Sequence, residues 1–396
     1  MSSAPVATGR PLLPFALLSA SYFAHIGFFN PYLPLWLKEL GFGIVAISLL
    51  TSVQAATRMF APYGWGALSD HTGERVKLLR YGATVALLVS TLLWLEPGTA
   101  WLAVLLLVMF SHTSAMMPMS EAALAHRVSQ DGVFDAGRYG RVRLWGSFGF
   151  LVTVFVAGAW FEAFGMRHFP AWTVLTLAAV ALATWLLPDL KEAVASHEGP
   201  IPVLPVLRQP AVRWFFAAVF FHVLAHIGIY VFFSLYLDEL GYSKTMIGVL
   251  WATSVLVEIA WFFTQSRWLP WLSLSGWLLL CAAATVLRMG LTVGFASVLP
   301  VLLLAQALHA ITFAAHHTAC IALLSQHFPG RLRGRGQALY TVIGYGVPGV
   351  LGGVVGGLLS QQWGLQSVFW ASLVVGLVAT ACAFRVWQLG RASATP

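Results

Sequence analysis

Apolar runs recur along the whole of this chain, separated by only a few polar residues, and this recurrence limits its possible folds more than any other feature. A run of roughly 18 residues or more marks a helix that crosses a bilayer, because hydrocarbon offers backbone N–H and C=O groups no partner but one another. The breaks between runs predict spans over residues 12–37, 43–66, 78–95, 99–126, 140–164, 169–187, 211–237, 244–265, 273–294, 297–326, 337–360 and 364–388. Composition agrees: 59% of the 396 residues are hydrophobic and 9% are charged, against about 25% charged in an ordinary soluble domain. The expected fold class is an all-α integral membrane protein with twelve transmembrane helices.

The net charge of +8 does not point to nucleic acid, since the cations lie between hydrophobic runs rather than on one basic face. Their distribution instead orients the chain. An even number of spans puts both ends on one side, and Lys and Arg concentrate on the cytoplasmic side. With the termini inside, the inner segments hold Arg10, Arg75, Lys77, Arg80, Arg127, Arg138, Arg141, Arg143, Lys191, Arg208, Arg213, Arg267, Arg331, Arg333, Arg335, Arg385 and Arg391. The outer segments hold only Lys38, Arg167 and Lys244, and Arg58 and Arg288 fall inside spans. Both termini are thus expected in the cytoplasm, with a multi-pass protein in the cytoplasmic (inner) membrane. The opening MSSAPVATGR lacks the basic region, short apolar core and cleavage site of a removable signal peptide, so the first span is expected to act as the insertion signal. Cys281, Cys320 and Cys382 all lie in apolar runs, which argues against a disulfide framework or a thiolate metal site.

One phrase is written twice. "AHIGFFNPYLPLWLKELGFG", from Ala24, returns as "AHIGIYVFFSLYLDELGYS", from Ala225, with a spacing of 201 residues at His25 and His226 that drops to 200 at Leu35 and Leu235. Each copy lies in the first span of a set of six. Between the sets, "PDLKEAVASHEGPIPVLPVLRQP" is the most polar and proline-rich connection and reads as a linker. The expected organisation is an N-terminal six-helix half over residues 1–187, a cytoplasmic linker over 188–210 and a pseudo-symmetric C-terminal half over 211–396. Parallel six-span repeats are one plan on which secondary transporters are built, with the substrate site between the repeats near the membrane midplane.

After the second span, "GALSDHTGERVK", Gly66 to Lys77, resembles the signature loop of the major facilitator superfamily. That resemblance implies a conformational-gating loop built on Gly66, Asp70, Gly73 and Arg75, although His71 stands where the superfamily usually has Arg or Lys. Four further stretches, "YGRVRLWGS" from Tyr139, "GVLWATSVLVEIAWF" from Gly248, "VLRMG" from Val286 and "QALHAITFAAHH" from Gln306, are similar to the phenylpropionate:proton symporter family, a branch near lactose permease. The resemblance runs over essentially the full chain. It implies the twelve-helix major facilitator fold, a proton-coupled symporter working by alternating access, and an aromatic carboxylate such as 3-phenylpropionate as substrate.

Charged side chains at bilayer depth cost about 2.5–3.5 kcal/mol on insertion scales, so those present usually face a cavity and are paired. Arg58, Glu121, Glu258 and Arg288 qualify. Glu258 sits mid-span between Val257 and Ile259, where desolvation favours the neutral acid, and Arg288 on the next span is its expected counter-charge. A carboxyl whose protonation depends on the distance to a cation suits proton coupling, and the lactose permease resemblance implies that role for this pair; a static buried salt bridge is the alternative. His309 and His316 are seven apart, nearly two α-helical turns, so they are expected on one face as proton relays with His317 about a quarter turn away. In lactose permease an acid follows the histidine of span ten, and this chain has none there. The resemblance also implies that Arg143 and Glu121 grip the substrate, Arg143 by clamping a carboxylate bidentately. Arg58 lies 200 residues from Glu258, and substrate contact and helix glue are both open for it. His25 and Tyr32 in one stripe, and His226 and Tyr230 in its repeat, are expected as matching walls of the substrate path, with helix packing as the bland alternative. The glycine-rich "GYGVPGVLGGVVGG" of span eleven reads as close helix packing rather than a nucleotide loop.

The partners implied are a small-molecule substrate, protons and the lipid bilayer, with no nucleic acid, no cofactor and no metal, and a monomer is expected. The chain is not expected to be an enzyme: His222 and His226 have metal-ligand spacing, but no further ligands gather at their depth. Within transporters, a sugar or nucleoside proton symporter is the alternative, and an efflux carrier comes after it.

Overall fold

The computed structural model describes residues 12–95, 98–130, 133–134, 136–189, 202–329 and 332–392. Arg10, Lys191, Arg331 and the middle of the linker, residues 190–201, lie outside the described residues. Among those described, eleven helices are long and apolar enough to cross a membrane: α2 (Ile44–Thr72), α3 (Arg75–Trp94), α4 (Thr99–Leu124), α5 (Arg141–Phe164), α6 (Met166–Trp185), α7 (Pro210–Glu239), α8 (Lys244–Trp271), α9 (Leu274–Gly294), α10 (Leu299–His327), α11 (Arg333–Trp363) and α12 (Gln366–Ala392). Before them comes α1 (Leu13–Glu39), 27 residues or about 40 Å long, enough to cross a hydrocarbon core of about 30 Å. Ser19, Ser21, Tyr22, His25, Asn30, Pro31 and Pro34 dilute its apolar run, and its middle is buried among other helices. The fold is all-α, apart from a two-residue antiparallel pairing of Ser129–Gln130 with Val133–Phe134 between α4 and α5.

The repeated phrase ends identically in the chain and in space. In α1, Gly41 at φ 85° receives the chain after Leu40, with Gly41 N–H donating to the Lys38 carbonyl and Phe42 N–H to that of Leu37. In α7, Gly241 at φ 83° does the same, with Gly241 N–H to Asp238 and Tyr242 N–H to Leu237. Both are Schellman caps, which need a left-handed residue that glycine adopts without strain and a following apolar residue that folds back on the helix. Phe42 and Tyr242 fill that place, packed on the central apolar cluster.

Packing within the first six helices runs α1 against α5 and α6, and α3 against α4 and α6; within the last six, α12 runs against α7 and α9, and α10 against α8 and α9. The two sets meet where α5 crosses α8 and where α2 crosses α11. Glycines permit the close crossings. A Cβ on Gly27 would lie 2.7 Å from the Phe150 carbonyl oxygen, and one on Gly149 would overlap the Ala20 backbone. On α11, Gly349, Gly353 and Gly357 recur every four residues and face Ala55, Ser52 and Ser48 of α2, so that glycine-rich stretch is a helix-packing surface.

Candidate site between the helix sets

Helix irregularity and ionisable side chains coincide in this bundle. α2 is interrupted at Arg58–Phe60, just where Pro62 deprives the Arg58 carbonyl of its i+4 donor. α4 breaks at Ser114–Ala115, four residues before Pro118, and Glu121 follows one turn on. π-helical turns occupy Gly228–Phe232 in α7, Ala310–Ala315 in α10 and Val342–Gly346 in α11. Tyr230 and Tyr345 lie in two of these turns, and His309 and His316 flank the third. Such backbone survives at membrane depth only where protein or a polar cavity surrounds it.

On the α7–α12 side, Arg288, His309 and Glu258 form one chain. Arg288 Nη1 lies 3.1 Å from His309 Nδ1, and His309 Nε2 lies 3.3 Å from Glu258 Oε2. A guanidinium has donors only, so Nδ1 accepts and Nε2 carries the hydrogen that Glu258 receives: His309 is the neutral Nε2–H tautomer. Arg288, the expected counter-charge of Glu258, thus reaches it through the imidazole of His309. Arg288 is 1% exposed. It also donates to Thr312 Oγ1 at 3.0 Å and Gln306 Oε1 at 2.9 Å, and Ser254 Oγ donates to the same Gln306 oxygen at 2.6 Å. Gln306, Thr312 and Ser254 were not among the sequence candidates; Gln306, in the apolar run before His309, was the one available signal.

On the α1–α6 side, Arg143 Nε pairs with Glu121 Oε1 at 3.2 Å, and its guanidinium lies 4.3 Å from the centroid of the Phe23 ring. Both ion-pair partners keep more than a third of their side chain accessible. Arg58 stands at the interruption of α2.

The histidines of α10 depart from the sequence expectation. His309 stacks on Phe313 at 4.8 Å and 4°, and Phe313 on His317 at 6.2 Å and 13°, so His317 shares the His309 face. His316 points instead to α7, stacked on His222 at 3.6 Å, with its ring beside Cys320 Sγ. The π turn is the cause. It takes about one residue more per turn than the 3.6 of an α-helix, so steps of four line up and the step of seven no longer does. His226 donates from Nδ1 to the His222 carbonyl at 2.8 Å.

The repeated stripe has diverged in use. His25 lies 3.0 Å from Thr176 Oγ1 and packs on Phe28 and Phe29, inside the first set of helices. Tyr32 donates to Val154 and Lys244 carbonyls at 3.0 and 3.2 Å, joining α1, α5 and α8. Neither is brought to the charged residues. Tyr230 lies in the π turn of α7, its ring centroid 6.0 Å from that of His226. In the signature loop, Arg75 Nη2 pairs with Asp70 Oδ1 at 3.2 Å and Nε donates to Ser69 Oγ at 3.0 Å. Gly73 ends α2 at φ 69°, whereas a Cβ on Gly66 would meet nothing within 4 Å.

Two sets of six helices thus meet with ion-paired side chains on both sides. The model of the MFS_1 like family matches residues 17–371. The chain belongs to the MFS_1 like family. This MFS_1-like protein is a multi-pass secondary transporter of the major facilitator type, as its relatives are, and not an enzyme. It is 29% identical over 364 residues to the "Probable 3-phenylpropionic acid transporter" of Escherichia coli (strain K12), covering 91% of this chain and 93% of that one. It is 25% identical over 361 residues to the maltose permease of Geobacillus stearothermophilus, covering 90% and 89%. A mutant of the nucleoside transporter NupG has the same fold, with a TM-score of 0.83 at 16% identity over 94% of this chain and 99% of that one.

Proposed function

We propose that this protein is a proton-coupled symporter that imports a small organic acid, an aromatic carboxylate such as 3-phenylpropionate, by alternating access of two pseudo-symmetric halves, residues 1–187 and 211–396. It works as a monomer in the inner membrane with both termini cytoplasmic. The observation that carries the reading is the charge balance of the seam. Arg58, Arg143 and Arg288 stand against Glu121 and Glu258, three guanidiniums to two carboxylates, an excess of one positive charge that a bound carboxylate neutralises. A neutral sugar leaves that excess uncompensated. The relative named for 3-phenylpropionic acid supports the same substrate class, and the more distant one named maltose permease favours a sugar as the second reading.

The coupling follows from the same balance. Protonating Glu258 in the empty site raises the excess to two charges; with a carboxylate bound it raises it only to one. Proton and substrate therefore favour each other's binding, by the same factor in both directions. The carboxylate docks on Arg143 and Glu121 moves aside; Glu258 carries the proton, and His309 holds Glu258 and Arg288 in one network. One carboxylate with one proton moves no net charge, so the pH gradient alone drives uptake; a second proton would add about 2.3 kcal/mol per 100 mV of potential. The test is purified protein in lipid vesicles, with protein-free vesicles as the baseline for passive entry of the acid. Glu258→Gln should lose pH-driven accumulation of 3-phenylpropionate while keeping exchange of labelled for unlabelled substrate. Full pH-driven accumulation by that variant would remove Glu258 from the mechanism, and maltose uptake without 3-phenylpropionate uptake would establish the second reading.

A further inference from the structure

α1 and α5 cross closely, with Gly149 against the backbone of Ala20 and Gly27 against that of Phe150. One turn before Gly149, Gly146 leaves a gap that two side chains share: a Cβ there would lie 2.6 Å from Phe23 Cδ2 and 3.0 Å from Arg143 Nη1. α1 delivers Phe23 to this gap and α5 delivers Arg143, whose guanidinium carbon lies over the Phe23 ring at 4.3 Å from its centroid. The Tyr22 ring meets that of Phe23 edge-on, at 5.4 Å and 83°. Arg143 Nε meanwhile pairs with Glu121 Oε1 at 3.2 Å, and both of those side chains stay more than a third accessible. Arg143 therefore has two kinds of partner. A carboxylate takes the in-plane N–H donors of a guanidinium, whereas the π face of an aromatic ring attracts the charge as a whole. An incoming carboxylate competes with Glu121 for the donors and does not compete with Phe23.

We propose that Phe23 is a positioning residue for the Arg143 clamp: its ring holds the guanidinium in place while Glu121 gives up the donors to the substrate carboxylate. The proposal rests on the carboxylate reading given above and deepens it. An Arg side chain released by Glu121 without such a hold regains its rotamer freedom, and the substrate must order it again at a cost in affinity. The accessible cation is also partly hydrated in the empty site, and a cation–π contact is worth more once water is gone. A substrate that covers Arg143 thus tightens its hold on Phe23, and the ring contributes to binding without touching the substrate. Gly146 is part of the device, since a side chain there would occupy the space in which ring and cation meet.

The experiment weakens the π face in steps while nearly preserving the shape of the side chain. Phe23 is replaced in the full chain by 4-fluoro-, 3,5-difluoro- and 3,4,5-trifluorophenylalanine, and the Kd of 3-phenylpropionate is measured in detergent by titrating ligand-dependent thermal stabilisation. Fluorine withdraws electron density from the ring face, so Kd should rise with each step, reaching about fivefold for the trifluoro ring and for Phe23→Leu. A Kd that does not follow the fluorines would overturn the proposal, because a ring that merely fills space between α1 and α5 is indifferent to them. The fluorinated series decides the matter if Phe23→Leu does not fold. Arg143→Gln should raise the Kd at least about tenfold; an unchanged Kd would remove the clamp, and Phe23 with it. If no acid binds the parent protein, the carboxylate reading itself fails. If the acid binds, needs Arg143 and ignores the fluorines, that reading survives and Phe23 is helix packing alone.

Discussion

Arg288 is a cation with five N–H donors and nowhere in the bilayer to discharge them, so its surroundings must accept. Gln306, Thr312 and His309 supply three acceptors in a fan that matches a planar guanidinium. A lysine carries one compact charge on a flexible stem and cannot span that fan. Arg288→Lys should therefore lose at least about tenfold in transport rate and about 1–3 kcal/mol in stability, read from vesicle uptake and thermal unfolding; unchanged values for both would mean that the network is incidental. The residue types of this site were legible in the sequence, since four charges inside apolar runs stand out without any structure. Their partners were not. Whether Glu258 met Arg288 directly or through His309 depends on side-chain reach between three helices, which spacing along one chain does not encode.

Helix existence was read correctly because about 20 apolar residues can do little else in a bilayer. The ends of α11 were read short, expected over 337–360 and found over Arg333–Trp363, because hydropathy stops at the first charge while backbone hydrogen bonding continues into the interface. The π turn of α10 is the element the sequence concealed. No residue type forces a π turn, and one extra residue per turn reassigned the seam-facing position from His316 to His317. Glycines divide by what their missing Cβ would meet. Gly149 lies against the backbone of Ala20, which cannot give way, so Gly149→Val should lower stability by about 1–3 kcal/mol as an overpacked crossing. Gly66 faces open space. Gly66→Ala should leave the melting temperature unchanged or raised, and any defect should appear in transport alone; a lowered melting temperature would instead make Gly66 a packing residue.

Across the whole molecule, polar contacts between the helix sets gather at the end where α1 terminates. Lys38 pairs with Asp238 at 2.7 Å, its counterpart 200 residues on; the Lys244 N–H donates to Glu162 at 2.6 Å; and Tyr32 bridges to the Lys244 carbonyl at 3.2 Å. At the other end Tyr63 donates to the Ala338 carbonyl. On the proposed orientation, with both termini cytoplasmic, the end held by these three contacts is the outer one. Tyr32→Phe removes one of those links and should raise the population open at that end, seen as a longer label-to-label distance between the exposed positions 40 and 240 in spin-labelled protein; an unchanged distance distribution would deny Tyr32 a part in closure. The central claim is that an acid and a proton cross together. It is tested most directly by trapping a pH-sensitive dye inside vesicles that hold the purified protein, adding external 3-phenylpropionate without a pH gradient, and following the lumen. The prediction is an acidification faster than in protein-free vesicles and lost with Glu258→Gln; protein-dependent substrate uptake with no protein-dependent change in lumenal pH would contradict it.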